Sequence, residues 1–177
     1  MSPVDGDAVE RIHRDHARML EMIDRIRAEC GQRNTIQHCN DCHAPHRAVC
    51  QGNIDQLIRG FIEATMKHSL IESMFMDDKV PAAHRAAHNQ AHMVIAQQLK
   101  SIRVVLSEDG NYVHAIDGID EIHAALISHF RDFDLPLERY LQETDLAPQS
   151  GWIAGTRCIS ENASTPGHTG SEPCSPR

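Results

Sequence analysis

Apolar residues recur at intervals of three and four along four long stretches of the chain, the spacing that places them on one face of an α-helix. The first stretch begins near Asp7, a plausible N-cap with Glu10 three residues on, and continues through Val9, Ile12, His16, Met19/Leu20, Ile23 and Ile26. The second reads Ile54, Leu57/Ile58, Phe61, Thr65, His68, Glu72 and Phe75/Met76. A third opens near Pro81, a good first-turn residue, and gives His84, His88, His92, Ile95, Leu99, Ile102 and Leu106. The fourth runs Ile116, Ile119, Ile122, Leu126, His129, Phe133, Leu137 and Tyr140/Leu141. No stretch alternates with period two between hairpin turns, so no sheet is expected.

The breaks predict the connections. Val80-Pro81 separates the second and third helices, and Ser107 to Asn111 separates the third and fourth. The first connection, roughly Gly31 to Cys50, is long and contains Cys39-x-x-Cys42. Pro136 removes a backbone bond to Asp132 and predicts a kink in the last helix. From Pro148 the chain is rich in Ser, Gly, Pro and Thr and reads as a disordered tail. The expected fold is all-α: an up-down-up-down antiparallel four-helix bundle over residues 1–147, a Cys-rich insertion between helices one and two, and a disordered tail over 148–177.

Charge narrows the function classes. With 25 acidic residues against 17 Lys and Arg, the formal charge of −8 disfavours nucleic acid and anionic membranes. One Trp, two Tyr and four Phe offer few stacking platforms for bases. No apolar run of about 18 residues is present, and no signal peptide is visible, so a cytoplasmic location is expected. The unusual residue is histidine, with 13 copies, which points to metal or proton chemistry.

Where the histidines fall matters more than their number. His16, His68, His88, His92 and His129 lie on the apolar stripes, and so does Glu72. A single histidine in such a place is ordinarily a core residue satisfied by one hydrogen bond. Five of them with a carboxylate would each need a buried partner, at about 1–3 kcal/mol for each group left unpaired. One shared metal centre satisfies all of them together, because imidazole and carboxylate are good ligands for iron, zinc or manganese.

Spacing supports a common level in the bundle. His68/Glu72 and His88/His92 are i,i+4 pairs, each on one helix face. Halfway between these pairs lies position 80, at the Val80-Pro81 break. Halfway between His88/His92 and the His129–Asp134 region lies Gly110, at the other turn. Halfway between His16 and the second pair lies residue 43, inside the Cys-rich connection. Antiparallel helices of equal rise therefore bring these residues to one depth.

These residues resemble the ligand motifs of the hemerythrins and bacterial hemerythrin-like (HHE cation-binding) proteins. The resemblance covers about residues 7 to 143. It rests on Ile12-x-x-Asp15-His16-x-x-Met19-Leu20, His68-x-x-x-Glu72 with Met76 following, His88-x-x-x-His92, and His129-x-x-x-x-Asp134. It implies a non-haem di-iron centre in a bundle, an architecture for which myohemerythrin is a standard example. One iron would take His88, His92 and His129, and the other His16 and His68. Glu72 and Asp134 would bridge the two, with an oxo or hydroxo oxygen completing the bridge. The implied partner is O2, bound reversibly at the iron with two histidines, for storage, delivery or sensing. Ile95 and Leu126 would help keep water out.

Two points in this pattern are ambiguous. His84, one turn before His88, offers an alternative pair, but its depth would place the turn at position 78, inside the second helix. Asp134 is five residues from His129, about 140° away on an ideal α-helix, and Asp132 is nearer in angle. Only the resemblance selects Asp134. His13 reads as partly exposed or supporting.

Cys30, Cys39, Cys42 and Cys50 sit with His38, His43 and His46 around the first connection. Zinc at Cys39 and Cys42, a redox disulfide, and a loop of free thiols are all open readings. The competing functions are a di-iron oxidase or peroxidase, and a redox or NO sensor using this loop. Ferritin-like oxidases use more carboxylates and Glu-x-x-His pairs, which the stripes lack.

Overall fold

The three-and-four spacing closes into long helices in the computed structural model, which describes residues 3–76 and 80–146. Helix α1 spans Pro3–Glu29, α2 Ala44–Phe75, α3 Ala82–Glu108, α4 Tyr112–His129 and α5 Leu135–Leu146. A five-residue π turn, Phe130–Asp134, joins α4 to α5 without leaving helical conformation. No strand occurs among the described residues. The tail expected from Pro148 lies outside them.

Several boundaries differ from the sequence expectation. Asp7 is not a cap, because α1 already begins at Pro3. The first connection ends at His43, so His46 and Cys50 belong to α2 rather than to the loop. Here Pro45 sits in the first turn, where a missing N–H costs nothing. Pro81 caps α3 from just outside it. The α3–α4 turn is made by Gly110, whose φ of 56° a residue without a Cβ adopts at no steric cost. Asn111 then caps α4, its side-chain oxygen accepting from the Val113 N–H at 3.2 Å. The kink expected from Pro136 takes the form of the π turn immediately before it, whose closing bond runs from the Leu135 N–H to the Phe130 carbonyl.

Neighbouring helices meet in opposite residue order. Along α1 and α2, Asn53 bonds Glu29, and Gly60 abuts Met22. On the other side of α1, Arg27 bonds Asp120, His16 meets Asp134, and His13 meets Glu138. Ser73 on α2 bonds Asn89 on α3, and Ile102 on α3 faces Gly118 on α4. The Cys-bearing loop lies against the α3–α4 turn, where Asn111 donates to the Gln37 carbonyl at 3.2 Å.

The core is split by a polar layer. On the loop side lies the larger apolar cluster, including Met19, Ile23, Ile58, Phe61, Leu99, Ile119 and Leu126. On the other side lies a smaller one of Ala8, Ile12, Met76, Val80, Leu137 and Leu141. In α1, α2 and the α4–α5 rod the expected site residues fall between the two clusters; on α3, His88 and His92 immediately precede the larger one. Burying a side chain of this size contributes about 1.5–3 kcal/mol, so the two clusters hold the polar layer in register.

Candidate metal centre

Seven side chains fill that layer: His16 from α1, His68 and Glu72 from α2, His88 and His92 from α3, His129 from the end of α4, and Asp134 from the end of the π turn. Six are buried outright, and the His16 side chain retains 13% exposure. Their ligand atoms form two groups, each with all members within 4.8 Å of one another: Glu72, His88, His92 and His129, and His16, His68, Glu72 and Asp134. Donors arranged about a transition metal at 2.0–2.2 Å lie no more than about twice that far apart. Glu72 belongs to both groups.

The carboxylates occupy the middle of the layer. Glu72 Oε2 lies 3.1 Å from His92 Nε2, 3.3 Å from His68 Nε2 and 3.4 Å from His88 Nε2. Asp134 reaches both ways: Oδ1 is 2.9 Å from His88 Nε2 and 3.1 Å from His129 Nε2, while Oδ2 is 2.9 Å from His16 Nε2. His88 and His129 bring their Nε2 atoms within 3.0 Å of each other. Two imidazole nitrogens and two carboxylates this close in an apolar interior need a cation or protons between them.

The π turn explains the five-residue step. In an α-helix Asp134 would point well away from His129, but an i→i+5 turn returns residue i+5 to the same side. Asp132, the nearer residue by α-helical angle, is instead exposed and pairs with Arg131 at 2.7 Å. The alternative on α3 sits apart from the layer. His84 is only half-buried and belongs to neither group; its ring packs against His88, Phe133 and Tyr140. His13 is exposed and lies 2.8 Å from the buried Glu138.

The donor set fits a metal. His16 Nε2, His68 Nε2 and both Asp134 oxygens make no hydrogen bond, despite separations down to 2.9 Å. Short distances without hydrogen-bond direction are the signature of atoms aimed at a shared centre rather than at one another. Glu72 Oε1 is likewise unpartnered, and outside this layer the only such buried side-chain atoms among the described residues belong to His84 and Gln98. Leaving so many polar groups unpaired costs far more than a marginally stable fold can spare.

The site's charge is set by competition between burial and neighbours. Burial alone would raise the Asp134 carboxyl, but the imidazoles of His129, His16, His68 and His88 hold it far below the usual carboxylate range. Glu72 is also lowered, with His88 and His92 outweighing its burial. Burial depresses His88, yet Asp134 and Glu72 push it up to about 9. Burial wins at His92, which is lowered. In the metal-free protein these carboxylates stay ionised and His88 holds a proton, which an incoming cation must displace.

Two residues absent from the sequence reading of the site wall it. Phe130 stacks on the His16 ring at 3.7 Å, and Phe133 packs 5.5 Å from His88 and 5.3 Å from His129. Both lie between His129 and Asp134, and a π turn there was the missing premise. Ile95 and Leu126 are buried beside the layer, as expected. Glu138 was also missed; its position one turn beyond Asp134 was the available signal.

The cysteines behave differently. Cys30, Cys39, Cys42 and Cys50 are free thiols. Among the described residues, no three Cys, His or carboxylate ligand atoms near the first connection gather as the seven do, and no zinc site at Cys39 and Cys42 is shown. Cys39 is buried at the start of a short 3-10 turn, Cys39–Asp41, while Cys42 opens onto a cleft. No helix among the described residues is long and apolar enough to cross a membrane. Compared with protein-family models, with curated proteins and with solved structures, the chain matches none.

Proposed function

We propose that this chain is a hemerythrin-like, up-down-up-down antiparallel bundle whose seven-residue layer holds two iron ions and binds O2 reversibly. The observation that carries the reading is the division of the layer into two donor groups that share Glu72. His88, His92 and His129 would hold one ion and His16 and His68 the other, with Glu72 and Asp134 spanning both. Iron in this setting supplies the electrons that reversible dioxygen binding requires.

The chain's own residues do the rest. Five imidazoles against two carboxylates make a donor set less anionic than that of carboxylate-rich oxidases, which favours binding over turnover. The second group has only two imidazoles, and its His16 is the most exposed of the seven side chains, so that side is where a small ligand would enter. Phe130 covers His16, and Phe133, Ile95 and Leu126 keep the other side dry.

The deciding experiment loads metal-free protein with ferrous iron under anaerobic conditions, measures metal content, then records visible spectra through cycles of O2 and argon. About two irons per chain and a charge-transfer band that comes and goes with O2 support the proposal. A single zinc taken up in preference to iron would overturn it. A band that decays with consumption of a reductant would assign an oxidase or peroxidase instead.

A further inference from the structure

The end of α1 and the first turns of α2 enclose a cleft of about 660 Å³, remote in sequence from the metal layer. Its walls include Cys30, Cys42, Cys50, His43 and Val49. Two of the three thiols form a pair. Cys50 Sγ donates toward the Glu29 carbonyl at 3.8 Å, which places it against the residue preceding Cys30. Both Cys30 and Cys50 are half-buried and pack against the large apolar cluster. Burial, and after it the adjacent Cys30, pushes the Cys50 thiol up to about 11.

The Cys39-x-x-Cys42 pair, which looks more like a redox motif in the sequence, is divided by its surroundings. The chain makes a 3-10 turn there, with the Cys42 N–H bonded to the Cys39 carbonyl at 3.1 Å. Cys39 is buried and does not line the cleft, whereas Cys42 does.

We propose that Cys30 and Cys50 are a dithiol site that a low-molecular-weight disulfide, entering this cleft, oxidises to an intramolecular disulfide tying the end of α1 to α2. In the first step a thiolate of Cys30 attacks one sulfur of the small disulfide. A mixed disulfide forms and one small thiol leaves, taking up the proton that Cys30 lost. Cys50, whose proton is held until it is the second to react, then attacks the Cys30 sulfur of that mixed disulfide. The Cys30–Cys50 bond forms, and a second small thiol leaves with the Cys50 proton. The two protein thiols are oxidised and one small disulfide is reduced to two thiols. The cleft's size is within the range that encloses a peptide-sized reagent. The new bond closes the whole first connection into a ring, a constraint on the unfolded chain.

The test treats the full-length chain with glutathione disulfide and maps the bonds by mass spectrometry of non-reduced digests. The expected result is a Cys30–Cys50 linked peptide as the main product, reversed by excess reduced glutathione. The Cys39→Ser/Cys42→Ser protein should give the same product in the same yield. Cys50→Ser should instead stop with glutathione attached to Cys30. A main product joining Cys39 to Cys42, or joining Cys30 or Cys50 to any other cysteine, Cys158 and Cys174 included, would overturn the proposal. So would stable glutathione adducts on both Cys30 and Cys50 in the unsubstituted chain. None of these outcomes depends on whether iron occupies the bundle.

Discussion

The metal layer and the Cys-bearing loop are made of similar material, yet only one converges. Both are rich in residue types that bind metals: five histidines and two carboxylates in the layer, four cysteines and three histidines around the loop. In the layer every donor but Asp134, which the π turn brings in, projects from an α-helix whose rise and period are fixed, and two apolar clusters hold those helices in register. Around the loop the donors ride on a 3-10 turn and two helix ends, and their directions follow local turn geometry instead. Cys39 turns inward, Cys42 faces a cleft, and Cys50 seeks the Glu29 carbonyl. Donor density alone therefore says little. A shared centre needs a scaffold that aims the donors.

The largest effect that would break this contrast is at the shared carboxylates. Glu72→Ala and Asp134→Ala each remove a group common to many of the short contacts in the layer. Each should lower bound metal from about two per chain to one or none, read by elemental analysis, while circular dichroism stays helical. Asp132→Ala should leave the metal content unchanged. Equal loss from Asp132→Ala would mean the π turn does not orient this segment in solution.

A smaller loss is expected from single histidines. His92→Ala should weaken metal uptake by at least the roughly 10- to 100-fold that loss of a residue merely supporting a ligand costs, because one donor of the first group is itself gone. His84→Ala should alter it little, since His84 lies outside both groups. The reverse ranking would reassign the α3 ligands.

Protons give the next test. The folded metal-free protein holds His88 at about 9, above the ordinary histidine value of 6.5. A raised folded-state pKa gives stability that is fully present below pH 6.5 and is lost as pH rises through 9. Metal-free protein should thus lose on the order of 3 kcal/mol between pH 6.5 and 9.5, read as a falling unfolding midpoint. Metal binding should tighten across the same window, because the displaced His88 proton is no longer there to compete. A metal-free midpoint that rises over this range would contradict the buried carboxylate–histidine arrangement.

The smallest effect belongs to the loop. Cys39→Ser with Cys42→Ser should leave metal content and its spectrum unchanged, since α1 runs on past the layer for 13 residues to Glu29, roughly 20 Å at helical rise. Asp120→Asn should cost about 1 kcal/mol without touching the metal, because Asp120 pairs with Arg27 on α1 and with Arg33 of the loop. Loss of metal from either variant would show that the two regions are coupled after all.

Much of this molecule is legible in one dimension because helical period is local. Ile12, Met19, Ile23 and Ile26 bury one face of α1 as their spacing requires, and the i,i+4 pairs on α2 and α3 point inward for the same reason. The common depth of the histidines followed from turn positions and the constant rise per residue. What remained hidden depended on departures from that constancy. The π turn at Phe130–Asp134 shifts the angular count by one residue, so that Asp134 enters the layer, Asp132 leaves it, and Phe130 and Phe133 become walls. Pro136 marks a lost backbone bond to Asp132, but nothing in the spacing says that the turn before it widens to i→i+5. The thiols depended on tertiary structure more completely. Cys50 lies twenty residues from Cys30, and no periodic rule relates them. Their approach is set by where α1 ends, where α2 begins and how tightly the two helices pack, and these are long-range contacts that no local pattern encodes.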